Sequence, residues 1–97
     1  MQISVRFFTS LREIVDRKED ILEFSETENV TIEKILTILS HRHGKRFVEY
    51  VFNNETEEVK SFLQFLVNGK STSNLEGLRT KLEDGDVLAI LPPVGGG

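Results

Sequence analysis

The sequence predicts an α+β fold in which a mixed sheet carries one main helix packed across one face. Three observations point there. "QISVRF" near the start alternates apolar and polar residues with period two, and "VLAIL" near the end is a short β-rich run that follows a turn. Between them, "TIEKILTILSHRHG" places Ile32, Ile35, Leu36 and Leu39 at i, i+3, i+4 and i+7, one continuous apolar helix face. With 97 residues, 38% hydrophobic and 29% charged, the chain has material for one compact domain and none for a second core.

Each element can be justified in order. Ile3, Val5 and Phe7 alternate with Gln2, Ser4 and Arg6 in a half-buried first strand, which leaves Phe8 on the polar side. In "SLREIV", Ser10 and Glu13 have the spacing of a capping box, and Leu11, Ile14 and Val15 supply an apolar stripe, so a short helix is expected. "DILEFS" alternates again and reads as a second strand returning along the first. The long helix has marked ends: Thr31 as cap, Val30 stapling onto Ile35, His41, Arg42 and His43 near the negative end of the dipole, and Gly44 as terminator. Val48, Val51 and Phe52 suggest a further short helix before the acidic loop of Glu55, Glu57 and Glu58. "SFLQFLVNGK" reads as a strand entering an Asn68-Gly69 turn, and a second turn at Asp84-Gly85-Asp86 precedes the last strand.

Composition excludes several functions. The chain has no cysteine, hence no disulfide, no thiolate metal site and no thiol nucleophile of its own. A net charge of −4 with scattered basic residues argues against nucleic acid. No run is long and apolar enough to span a bilayer, and "MQISVRFF" lacks a signal pattern, so a soluble, cytoplasmic protein is expected. No metal site is expected: His41 and His43, two apart on a helix, do not face one another and read as helix-end polar residues. The acidic group Glu55, Glu57 and Glu58 lacks the ligand spacing of a calcium loop and reads as a solvated face. Neither "NGK" nor the glycines form a P-loop, and Ser4 and Ser10 have no evident base, so independent catalysis is not expected.

Two segments carry a family resemblance. "FFTSLREIV" after the first strand and "LEDGDVLAILPPVGGG" at the end resemble the small subunit of molybdopterin synthase, a sulfur carrier. The likeness extends more loosely to the central helix, while "HRHGKRFVEYVFNNETEEVKSF" is longer than the matching stretch of typical members. The resemblance implies a ubiquitin-like β-grasp domain over residues 1–91 and a flexible tail over 92–97. It further implies that the Gly97 carboxylate is adenylated and converted to a thiocarboxylate for molybdenum cofactor biosynthesis. The chain is then a non-catalytic carrier subunit that binds no cofactor, the activating enzyme using ATP. Its implied partners are an E1-like adenylating enzyme, a sulfur donor protein and the synthase large subunit. Small archaeal ubiquitin-like modifiers share this kind of tail, and the alternative is a modifier joined through Gly97 to target lysines.

The tail chemistry is physically coherent. A free carboxylate is a poor electrophile, and adenylation gives it a leaving group if ATP and the chain end meet in a water-poor channel. Gly95 and Gly96 leave no side chain to obstruct that channel, and six extended residues after Leu91 reach roughly 20 Å at about 3.3 Å each. Pro92 and Pro93 stop the strand and stiffen the exit. In "VLAIL", Leu88 and Ile90 should face the helix, which turns Val87, Ala89 and Leu91 outward. Because the first and last strands of a β-grasp sheet are neighbours, Phe8, Ala89 and Leu91 are expected to form an apolar docking patch continued by Pro92, Pro93 and Val94.

Overall fold

The computed structural model describes residues 1–72 and 76–93. Strand β1 (Gln2–Phe7) buries Ile3, Val5 and Phe7 completely, as its alternation requires. It leads into helix α1 (Thr9–Val15), then β2 (Glu19–Glu23), α2 (Ile32–His43), α3 (Lys45–Val51), β3 (Gln64–Val67), β4 (Lys70–Ser71), a 3-10 turn (Gly77–Arg79) and β5 (Val87–Leu91).

The sheet order is β2-β1-β5-β3-β4. β1 and β5 run parallel, with Phe7 opposite Ile90, and the remaining pairs are antiparallel. The last strand therefore lies in the middle of a mixed sheet. The core lies on one face only: Ile32, Ile35, Leu36 and Leu39 of α2 pack with Phe47 and Val51 of α3, Leu11 of α1, and the inward residues of β1 and β5.

The local signals at α2 are realised. Thr31 Oγ1 accepts a hydrogen bond from Lys34 N at 3.2 Å, and Val30 and Ile35 both lie in the core. Gly44 closes the helix at φ 79°, its N–H donating to Ser40 O. Asn68 and Gly69 both adopt positive φ, 51° and 84°, the conformation a two-residue I′ hairpin turn demands. The Asn68 side chain also binds Asp86 Oδ1 and accepts from Val87 N, each at 2.9 Å, which ties that turn to the start of β5.

Two expectations need correction. No capping box forms at Ser10: the chain turns from β1 into α1 at Phe8 and Thr9, Phe8 occupies the cap position without a side-chain hydrogen bond, and Ser10 is already inside the first turn. Helix α3 exists, but it presents Phe47 and Val51 to the core and leaves Val48 exposed. Gly44 sets this rotation by both ending α2 and preceding α3.

Candidate functional site

The root of the tail is built by β5. Leu88 and Ile90 are fully buried, whereas Val87, Ala89 and Leu91 are half-buried on the opposite, helix-free face. Ala89 lies between Arg6 of β1 and Leu66 of β3 in register, and Leu91 lies opposite Gln64. Beyond the last pair, Phe62, Gln64, Leu91, Pro92 and Pro93 line a concavity of about 270 Å³. Pro92 continues the inward alternation and is buried, so Leu91, Pro93 and the 40% exposed Phe62 supply its accessible apolar surface. Val94, Gly95, Gly96 and Gly97 lie outside the described residues.

Phe8 comes directly after the Phe7–Ile90 pair, just as Leu91 does on the neighbouring strand. Its backbone is extended and its side chain half-buried, as expected for the outward sense. Its ring, however, belongs to a separate concavity of about 290 Å³ with Arg6, Arg12, Lys18 and Glu19. The Arg12 guanidinium stands 5.8 Å from the ring centroid while its Nε donates to Phe7 O at 3.3 Å. The first and last strands thus present a cationic aromatic hollow beside an apolar one.

Sequence reasoning missed Phe62 and Leu66. The signal was available, because in "SFLQFLV" the burial of Leu63, Phe65 and Val67 turns Phe62, Gln64 and Leu66 outward. It also missed a polar cluster on the inner side of the sheet. The side chain of Asp20, opposite Val5 in register, is fully buried. It accepts a hydrogen bond from Arg17 at 2.6 Å and pairs with His43 Nε2 at 2.7 Å, with Arg42 at 3.7 Å. Burial pushes the carboxyl up, but the hydrogen bonds and charges of His43 and Arg17 outweigh it and hold Asp20 below its ordinary range. His43 packs between Phe7 and Phe47, with ring centroids at 5.8 and 6.0 Å. It ends α2, as expected of a helix-end polar residue, but its side chain, only 11% exposed, turns inward as a strut between α2 and β2, whereas His41 is exposed.

Among the described residues, no group of three or more His, Asp or Glu is placed to hold a metal ion, and no helix is long and apolar enough to cross a membrane.

Relatives agree with this geometry. Small archaeal modifier protein 3 of Haloferax volcanii is 31% identical over 97 residues, covering all of both chains. A protein of Archaeoglobus fulgidus provisionally named a sulfur carrier is 32% identical over 72 residues, 74% of this chain and 80% of that one. A solved structure from Pyrococcus furiosus, provisionally named molybdopterin converting factor subunit 1, superimposes with a TM-score of 0.73 at 25% identity, covering 97% of this chain and 99% of that one. The fold is the ubiquitin-like β-grasp. The ThiS family model matches residues 5–97, from the middle of β1 through the terminal glycines, and the chain belongs to the ThiS family.

Proposed function

We propose that the protein is a sulfur carrier whose Gly97 carboxylate is activated and converted to a thiocarboxylate, serving molybdopterin synthesis in the cytoplasm. The observation that carries this reading is the family match running through Gly97, so that "PPVGGG" belongs to the matched stretch. In the reaction, a Gly97 carboxylate oxygen attacks the α-phosphorus of ATP held by an E1-like enzyme, and pyrophosphate leaves. A persulfide sulfur of a donor protein then attacks the acyl carbon, and AMP departs with the original oxygen. A second thiol, of the donor or the activating enzyme, attacks the inner persulfide sulfur, forming a disulfide with it and releasing the Gly97 thiocarboxylate. The chain's own part is to bring the carboxylate to the reaction. Gly95 and Gly96 keep the approach narrow, Pro92 and Pro93 direct the exit from β5, and Leu91 with its neighbours docks the activating enzyme and the synthase large subunit. ATP belongs to the activating enzyme, and the carrier needs no bound cofactor.

A second reading, a modifier joined through Gly97 to lysines of other proteins, is favoured by the full-length likeness to the Haloferax modifier. Both readings share the adenylation step. One experiment tests the shared step and separates the outcomes. Deleting Gly96 and Gly97 should abolish ATP-pyrophosphate exchange with the activating enzyme and leave the melting temperature unchanged. The intact protein, given ATP and a sulfur donor, should gain only the mass difference between sulfur and oxygen and then support molybdopterin formation with the large subunit. Exchange that survives the deletion overturns both readings, and glycine remnants on lysines of other proteins, without molybdopterin formation, decide for the modifier.

A further inference from the structure

The segment that is long for the resemblance, residues 41–62, supplies one wall of a groove on the helix side of the sheet. Phe52 and Val59 pair across an antiparallel bridge, closing the loop between them. Inside it Asn53 N donates to Glu58 O, Glu57 N donates to Asn53 O, and Asn53 Oδ1 accepts from Glu55 N, at 2.8, 2.8 and 2.9 Å. The loop is thus held as a rigid wall. Against it stand α2 and the 3-10 turn, and together they enclose about 560 Å³. Phe52, Val59 and Leu78, each partly exposed, supply the apolar lining over the buried Leu36, and the exposed Glu33, Glu57 and Glu58 the charge.

None of these three glutamates forms an ion pair within the described residues. Three like charges around an apolar lining call for a cation that also brings aliphatic surface. A metal ion does not fit that description, since it needs converging oxygen ligands and nothing apolar. An arginine side chain does: its methylene stem lies on apolar surface while its guanidinium meets carboxylates. We propose that this groove is a docking site for an extended segment of a partner protein that presents an arginine flanked by apolar residues. Leu36 packs in the core between α2 and the inner face of the sheet, whereas Ala89 and Leu91 point from the outer face. A partner held in the groove therefore leaves the tail root free, and the inference does not depend on what Gly97 becomes.

The test is an NMR titration of the full chain with the blocked peptide acetyl-Gly-Leu-Arg-Leu-Gly-amide. Saturable shifts should be confined to amides of residues 33–37, 52–59 and 76–79, with Kd on the order of 1 mM. The E57Q/E58Q double variant should weaken binding by about fivefold, as expected for two rim charges, and added salt should act in the same direction. Glu13→Gln, on α1, should change nothing. The proposal is overturned if the peptide with glutamine in place of arginine binds equally, if shifts fall on the outer face or fail to saturate, or if the double variant binds as the parent does. It is also overturned if the groove amides shift with protein concentration alone, which would make the occupant a second copy.

Discussion

Leu88 and Ile90 are fully buried, while Val87, Ala89 and Leu91, from the same five-residue strand, are only half-buried. Every residue of β5 is apolar, so hydrophobicity did not make this difference. Strand geometry sends alternate residues to opposite faces, and helices cover only one face. Apolar side chains on the inner face hold the fold together. Those on the outer face, joined by Leu66 and Phe62 from and beside β3, contribute less to stability and remain available to a partner.

The largest expected effect breaks the inner half of the comparison. Ile90→Ala removes a fully buried side chain between β1 and β3 and should cost about 3 kcal/mol by transfer and cavity terms. Urea unfolding should show a lower midpoint with an unchanged m-value. A loss comparable to that of an ordinary surface substitution would mean that the two faces are not energetically distinct.

The next substitution sharpens the outer half. Leu91→Asp should leave stability within about 1 kcal/mol of the parent, because the side chain is half-buried on the helix-free face. If the outer face docks the synthase large subunit as proposed, calorimetry against that subunit should nevertheless show roughly thirtyfold weaker binding, about 2 kcal/mol, as for an apolar anchor removed from its pocket. Unchanged binding by the folded variant would remove Leu91 from the proposed docking surface.

Much of this contrast was legible in the sequence, and the limits are instructive. The period-two pattern of β1, the apolar stripe and caps of α2, and the Asn68-Gly69 turn are local signals read by local physics, and each holds in the structure. The inward and outward assignments in β5 hold for the same reason. What could not be read depended on distant partners. Phe47 rather than Val48 enters the core because the rotation of α3 is set by how the chain leaves Gly44. Phe8 shares its hollow with Arg12 and Lys18, which only the turn into α1 and the return into β2 bring together. Asp20 and His43 are 23 residues apart, and the sequence marks neither as the other's partner.

Asp20 supplies the smallest effect and the most searching test, because it is the charged exception on the inner face. Its carboxylate is stabilised in the folded protein by His43 and Arg17 against the cost of burial, so its folded pKa lies below the ordinary 3.8. A depressed carboxyl pKa contributes stability above the unfolded value, and that contribution is lost as pH falls through the folded value. Asp20→Asn keeps a hydrogen-bonding shape but loses the charge, and Arg17 and Arg42, both about half exposed, retain water when it goes. The cost near neutral pH should therefore be about 1 to 2 kcal/mol, less than for a buried charge left wholly without a partner. As pH falls from just above 3.8, the parent's stability should drop toward that of the variant, and the two denaturation midpoints should converge. A gap that persists unchanged into acid would mean that Asp20 acts through packing alone, leaving the inner face without a charge-dependent element at this corner.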